Sequence, residues 1–168
     1  MRAALLALLL LSPAAASPVM LALRPDMGEA SFSVHALGFW PVHGQFRRFT
    51  GTVRLDPDQP ASCSVDVLVD VASLHMADPA MQADVLSPAL LDAAEYPLLT
   101  YQGACVGDAI EGNMTLHGQT HRLRLALHRD RRNWVAEGGF RRSDWGNTGR
   151  PLLAGQEVRV RFSVAAPF

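Results

Sequence analysis

The sequence has no lysine, and all 15 of its basic residues are arginine. They balance 16 acidic residues, so the formal net charge of −1 leaves no basic surface of the kind that nucleic-acid binding requires. Charged residues make up only 18% of the chain, which excludes a highly charged disordered protein. A Gly-x-Ser-x-Gly elbow, a phosphate-binding loop and a dinucleotide fingerprint are also missing. We therefore expect a folded protein that is not an enzyme.

An apolar run long enough to cross a membrane is missing as well. The N-terminal run at residues 3–11 falls short of the roughly 20 residues that a bilayer span needs. Arg2 precedes this run and the alanines at 14–16 follow it, which is the pattern of a secretory signal peptide. We expect residues 1–16 to be an export signal and residues 17–168 to form one domain. The alternative is a buried N-terminal helix.

Cysteine is scarce, with only Cys63 and Cys105 present. In an exported protein such a pair favours a disulfide, and a redox site would need the Cys-x-x-Cys spacing that is absent here. Both cysteines lie in predicted strands, at residues 62–73 and 98–106. If they face each other across antiparallel strands, the same sheet face carries three further opposed pairs. These pairs are Val65 with Gly103, Val67 with Tyr101, and Val69 with Leu99.

Apolar and polar residues alternate through most of the remaining sequence, at residues 31–36, 52–56, 64–71, 110–117, 122–127 and 158–164. Strict alternation predicts half-buried antiparallel strands, so we expect an all-β sandwich or barrel. His117 and Gly118 lie between two such segments and predict a tight hairpin. Between Phe46 and Phe49 the apolar phase slips by one residue, which predicts a β-bulge.

One segment departs from the strand pattern and predicts a short helical insertion at about residues 79–94. Asp78 and Ser87 each precede a proline, which is the arrangement of a capping side chain before the first turn of a helix. We therefore expect two short helices here. Pro97 ends the insertion and begins the next strand.

The order of the motifs resembles the YceI-like family of bacterial periplasmic proteins. The resemblance covers about residues 28–166, and no single motif carries it. The matching segments are Ser-Phe-Ser-Val-His-Ala-Leu-Gly at 31–38, Val-His-Gly-Gln-Phe at 42–46, Gly-Thr-Val-Arg-Leu-Asp at 51–56, Val-Ala-Ser-Leu at 71–74, Leu-Leu-Asp at 90–92, Gly-Asn-Met-Thr-Leu-His-Gly-Gln-Thr at 112–120 and Arg-Ser-Asp-Trp-Gly at 142–146.

This resemblance implies a lipocalin-like antiparallel barrel of eight strands in the periplasm. It further implies that the interior holds an isoprenoid lipid, either a polyprenyl chain or a quinone tail, with no other cofactor and no metal. Burial of apolar area alone would hold such a chain. The alternative is a ligand-free barrel that acts in stress response or as an accessory to a membrane partner. Transient contact with a membrane or with a membrane protein is a further possible interaction, and the oligomeric state stays open.

The candidate ligand-binding residues are the inward positions of the predicted strands, together with apolar residues of the insertion and three residues near the barrel ends. The same alternation would arise if the inward side chains filled a solid core, so a lined cavity and a packed core both remain open. The strand positions are Phe32, Val34, Phe46, Val53, Val65, Val67, Val69, Leu99, Tyr101, Met114, Leu116, Leu125, Val160 and Phe162. The other candidates are Leu86 and Leu90 in the insertion, and His35, Trp40 and Trp145 at the ends.

The polar residues of the remaining motifs are expected to have structural roles and not to bind a metal or act in catalysis. His117 and His121 have a spacing that would suit a metal only on a helix, and the predicted hairpin argues against a metal site. Arg142 and Asp144 are expected to form an ion pair at a turn. Many family members carry an Arg-Asp pair and a histidine just before Leu86, where this chain has Gln82, Ala83 and Val85.

Overall fold

The computed structural model describes residues 18–56, 59–151 and 153–165, and the predicted export signal lies outside them. In these ranges the chain forms one α-helix, two 3-10 turns at Val71–Ser73 and Arg142–Trp145, and eleven strands. The helix, α1, spans Pro79–Leu86. The strands are β1 Val19–Leu23, β2 Gly28–Ala36, β3 Trp40–Phe46, β4 Phe49–Asp56, β5 Gln59–Asp70, β6 Leu74–His75, β7 Leu98–Val106, β8 Ala109–Leu116, β9 Gln119–Asp130, β10 Asn133–Arg141 and β11 Ala154–Ala165.

All strands belong to one antiparallel sheet in the order β1-β4-β5-β7-β8-β9-β10-β11-β2-β3-β6. The prediction of an all-β, lipocalin-like fold with a helical insertion is confirmed, although the sheet has eleven strands and not eight. The difference lies at the two edges. The short strands β1 and β6 pair with β4 and β3, whose backbone groups would otherwise be open to water. The result is a curled half-barrel whose edges are not paired with each other in the described part of the chain.

The chain passes from β3 to β4 through Arg47 and Arg48, where the sequence predicted a bulge. The prediction of a bulge is wrong, because these strands are separate and pair with different neighbours. Ser73 holds the corner in place. Its backbone carbonyl accepts from the Arg47 N–H at 3.1 Å, and its buried hydroxyl oxygen accepts from the Arg48 N–H at 3.0 Å. The contacts that fix this break thus come from a residue 25 positions away in the sequence, which the pattern around residues 46–49 does not reveal.

The predicted disulfide and strand register are confirmed. Cys63 and Cys105 are bonded, with their Cα atoms 4.9 Å apart. Between β5 and β7 the structure pairs the valines with the residues that alternation predicted. The pairs are Val65 with Gly103, Val67 with Tyr101, and Val69 with Leu99.

The hairpin between β8 and β9 also follows its prediction. His117 and Gly118 connect the strands with φ angles of 51° and 71°. Positive φ at both central residues is the requirement of a type I′ turn, whose twist matches that of the paired strands. Leu116 and Gln119 close the hairpin as the last paired residues.

The helical insertion contains one helix where two were expected. Asp78 caps α1, and its carboxylate accepts from the Ala80 N–H at 2.8 Å. After Ser87 the chain forms turns, so the prediction of a second helix is wrong. The Leu91 and Ala93 N–H groups donate back to the carbonyls of Val85 and Leu86 at the end of α1, which folds this segment against the first helix. None of the described helices reaches the length and apolar content of a membrane span.

Replacing Asp78 with alanine should lower the free energy of unfolding by about 1 kcal/mol, because α1 loses the acceptor for its first N–H groups. Urea unfolding measures the difference. Asp78→Asn keeps a capping oxygen and serves as the control. Equal losses in both variants would show that the capping hydrogen bond does not contribute.

Candidate functional site

The register places one face of every long strand toward the inside of the curl. Val53 of β4 lies opposite Val65 of β5, and Tyr101 of β7 lies opposite Met114 of β8. On the other side of the curl, Phe32 of β2 pairs with Val160 of β11. The expected inward positions are therefore brought together on one concave surface.

Two clusters of buried side chains occupy this surface. The first cluster consists of Cys63, Val65, Tyr101, Ile110, Met114, Leu116, Leu123, Leu125, Ala136, Phe140 and Trp145. The second cluster consists of Ala30, Val42, Phe46, Phe49, Val69, Leu74 and Met76. Val67, Leu91 and Leu99 pack against both clusters and connect them.

Between and beside the clusters, the inward apolar side chains are only half-buried. In a packed protein core such side chains keep almost no accessible surface. Here the incomplete burial shows that side chains do not cover all of the inward apolar surface. The half-buried inward residues are Phe32, Val34, Val53, Val67, Leu99, Val158, Val160 and Phe162. These residues form the candidate site.

The insertion covers the second cluster. Met81, Val85 and Leu86 of α1 pack against it, and none of them is fully buried. Leu90, in the turns after the helix, is buried. Gln82 takes part in fixing the helix, since its side-chain oxygen accepts from the Met76 N–H at 3.0 Å. At this position the chain thus has a neutral side chain with a structural contact.

Polar atoms among the buried side chains are satisfied within the first cluster. The Tyr101 hydroxyl lies 3.1 Å from the Ile110 carbonyl and 3.0 Å from the Leu123 carbonyl. Burial, with a smaller contribution from Glu111, raises the pKa of Tyr101 to about 12, so the phenol is neutral at ordinary pH. The Trp145 indole N–H donates to the Met114 carbonyl at 3.0 Å. Neither group offers a charge to a ligand, which leaves the first cluster suited to an apolar one.

Arg142 is the one charged side chain that is buried in the described ranges, with 4% of its surface exposed. Its guanidinium donates to the carbonyls of Asn147, Ala154 and Gly155 and to the Asn147 side chain, at 2.8–3.0 Å. The predicted ion pair with Asp144 is wrong, because Asp144 is exposed and Arg142 bonds only to these neutral oxygens. Burial lowers the pKa of Arg142. Its role is to tie the 3-10 turn to the start of β11.

One buried acceptor next to this arrangement has no partner. The side-chain oxygen of Gln156 is buried and accepts no hydrogen bond from the described residues. Gln156 follows Gly155 where the pairing of β11 with β2 shifts register. A water molecule or a polar group of a ligand would satisfy this oxygen.

Two predicted site residues lie away from the interior. His35 is exposed, and the alternation of β2 turns it to the outward face between Val34 and Ala36. Trp40 is 62% exposed at the start of β3. Trp145, by contrast, is 3% exposed and packs edge-on against Phe140 at 4.7 Å. Local sequence treated the two tryptophans alike, and only the packing separates them.

The hairpin histidines make aromatic contacts. His117 lies 4.4 Å from the ring of Tyr96, and His121 lies 5.1 Å from the ring of Trp145. Among residues 18–56, 59–151 and 153–165, no three His, Cys, Asp or Glu side chains are grouped as metal ligands would be.

A second concavity is lined by residues from both faces of the sheet, including Phe32, Val158 and Val160 of the candidate site. It is a wide, open depression of about 1200 Å³ along β10, β11, β2 and β3. Most of its lining side chains are polar or charged, including Ser33, His43, Glu137 and Arg159. An apolar ligand chain bound here would remove water from these polar groups without offering them hydrogen bonds, so this lining does not suit such a ligand. The interior is therefore the better candidate site.

Comparison with known proteins agrees with this architecture. The sequence model of the YceI-like domain matches residues 21–166. The chain belongs to the YceI-like family. A UPF0312 protein of Shewanella putrefaciens is 28% identical over 153 residues, covering 86% of this chain and 80% of the relative. UPF0312 proteins of Vibrio cholerae are 33% identical over 96 residues, a match that spans about half of their length, 51%.

Solved structures share the YceI-like fold. BcnA of Burkholderia cenocepacia superposes with a TM-score of 0.65 at 21% identity, covering 83% of this chain and 96% of that one. A polyisoprenoid binding domain from Saccharophagus degradans, described as implicated in plant cell wall breakdown, gives a TM-score of 0.61 at 12% identity, with 87% and 98% coverage. At these identities the likeness concerns the fold.

Several interior residues of this YceI-like chain were not among the predicted site residues. The alternation of β3 and β10 carries a usable signal for Val42 and Phe140, which lie two residues from other inward positions. Leu74 and Met76 carry no such signal, because β6 is only two residues long. Met81 and Val85 lie in α1, where a helix was predicted, and pack against the second cluster.

Proposed function

We propose that this protein is a periplasmic carrier that binds a long isoprenoid chain, such as a polyprenyl lipid or a quinone tail, along the inside of the half-barrel. The observation that carries the proposal is the incomplete burial of the inward apolar residues between the two clusters. A flexible hydrocarbon chain would cover this surface and gain about 25 cal/mol for each Å² removed from water.

Two further observations support binding and not catalysis. The Tyr101 hydroxyl and the Trp145 indole N–H already donate to backbone carbonyls, so neither group is available to donate to a substrate. The structural relative from Saccharophagus degradans is named a polyisoprenoid binding domain. The unpartnered oxygen of Gln156 is the candidate contact for a polar headgroup.

The direct test is organic extraction of the purified protein, followed by mass spectrometry of the extract. We expect an isoprenoid lipid in amounts comparable to the protein. A protein free of lipid after expression with its export signal would contradict the carrier proposal and favour a ligand-free accessory protein.

A tryptophan at Val67 should displace the lipid. Val67 faces inward, is half-buried and contacts both clusters. A larger side chain there would occupy the space proposed for the hydrocarbon chain of the lipid. We expect the extracted lipid per protein to fall several-fold in Val67→Trp, with a loss of stability smaller than the 1–3 kcal/mol typical of an overpacked core.

The neighbouring Leu68 supplies the matched control. It lies on the same strand, faces outward and is 41% exposed. Leu68→Trp should leave the lipid content unchanged. Equal lipid content in both variants, or strong destabilisation by Val67→Trp alone, would show that the interior is a filled core.

A further inference from the structure

Large apolar side chains are exposed together at one end of the half-barrel. Leu37 and Phe39, in the turn between β2 and β3, are 57% and 72% exposed, Trp40 at the start of β3 is 62% exposed, and Leu153 is 55% exposed. The Leu37 N–H donates to the Leu153 carbonyl at 3.0 Å, so the two segments lie side by side. We call these four residues the apolar tip. Contiguous exposed apolar surface of this kind marks an interaction site.

The backbone holds the tip in a defined shape. The Phe39 N–H donates to the Ala36 carbonyl at 3.2 Å, and Gly38 adopts a φ of 81°. Leu37 also has a positive φ, 51°, a conformation that asparagine or glycine adopts more easily. An exposed leucine thus occupies a position where asparagine or glycine would be favoured.

We propose that the apolar tip inserts into the surface of a lipid bilayer. No charged residue occurs between Ala36 and Val42, so the segment that carries Leu37, Phe39 and Trp40 can enter the apolar boundary without burying a charge of its own. Tryptophan and phenylalanine are suited to this boundary, where one part of the side chain is apolar and the surroundings are partly wet.

The size of the tip favours a bilayer over a second copy of the chain. Four large side chains at these exposures offer roughly 500 Å². A stable dimer needs about 800 Å² of matched surface from each partner. A lipid surface needs no matched partner, and a small protruding turn suits it.

The tip is also continuous with the interior. It extends directly from Val34 and Ala36, which pack against the second cluster, and from Val42, which belongs to it. The adjoining loop is tied to α1, since Arg150 donates to Asp84 at 2.6 Å. Insertion would therefore bring the helix-covered side of the interior to the bilayer, and this consequence rests on the proposed isoprenoid carriage.

Flotation with phosphatidylcholine vesicles tests the proposal. We expect the wild-type protein to float with the vesicles and the double variant Phe39→Ser with Trp40→Ser to partition at least about tenfold less. Leu68→Ser and Leu98→Ser serve as controls, because both residues are exposed elsewhere, at 41% and 47%. Flotation that is unchanged in the double variant, or equally reduced in the controls, overturns the proposal.

Tryptophan emission gives a second measurement. Vesicles should shift the emission of the wild-type protein to shorter wavelength, and Trp40→Phe should remove the shift while keeping flotation. A shift that persists in Trp40→Phe would assign the contact to Trp134, at another end of the sheet, and overturn the proposal. The proposal is also overturned if the wild-type protein does not bind vesicles and instead forms a dimer that the double variant does not form.

The same samples separate this inference from the carrier proposal. Vesicle binding by a protein that contains no isoprenoid leaves the tip supported and contradicts carriage. A protein that retains isoprenoid but never floats, in wild-type form, contradicts insertion and leaves carriage supported. The Val67→Trp variant should lose lipid and still float.

Discussion

Replacing Arg142 with alanine is expected to lower the free energy of unfolding by about 3–5 kcal/mol, because it leaves buried carbonyl oxygens without donors. The guanidinium satisfies Asn147, Ala154 and Gly155 together, and Asn147 is itself buried, with 5% exposed. Its loss would release the start of β11 from the 3-10 turn. Urea unfolding followed by tryptophan fluorescence measures the effect, since Trp145 lies in that turn.

Arg141 is the matched control for this prediction. It is adjacent in sequence, and its exposed side chain pairs with Glu157 at 3.6 Å. Surface ion pairs contribute little, so Arg141→Ala should change stability by less than about 1 kcal/mol. Arg142→Lys keeps the charge but lacks the planar fork that reaches several acceptors, and we expect it to recover only a minor part of the loss. Full stability in the lysine variant would refute the role of the fork.

Reduction of the disulfide is expected to lower the free energy of unfolding by about 4 kcal/mol. Cys63 and Cys105 are 42 residues apart, and a closed loop of this length restricts the unfolded chain by about that amount. The native pairing of β5 with β7 should survive, because Val65, Val67 and Val69 retain their partners. The reduced protein should therefore fold, with a lower urea midpoint.

The double variant Cys63→Ala with Cys105→Ala separates the bond from the reductant. Its urea midpoint should match that of the reduced wild-type protein and should not respond to dithiothreitol. A variant as stable as the oxidised protein would show that the bond contributes nothing to stability. Removing one cysteine alone is a poorer test, since the remaining thiol can form bonds between molecules.

Much of the candidate site could be predicted from alternation alone. Period-two patterning assigns a side of the sheet to each residue, so Phe32, Val67 and Val160 were expected on the inside, where the structure places them. Alternation does not report how closely inward side chains approach each other. The half-burial that distinguishes the candidate site from a filled core depends on the curl of the sheet.

Two of the failed predictions concern contacts that local patterning does not report. A second helix after Ser87 was expected from its proline, but the turns there bond back to the end of α1. Asp144 was expected to pair with Arg142 because the two are neighbours in sequence. The fold instead buries Arg142 against carbonyls of β11.

The sequence by itself determined most of the long strands and their inward faces, the tight hairpin at His117 and Gly118, the capped first helix and the Cys63–Cys105 bond. These features depend on local conformational preference and on the two-residue period of a strand. Only the tertiary structure decided the break at Arg47 and Arg48, the burial of Arg142, and the placement of Trp145 inside and Trp40 outside. Each of these depends on which distant backbone groups and side chains come within contact, and no local pattern encodes that information.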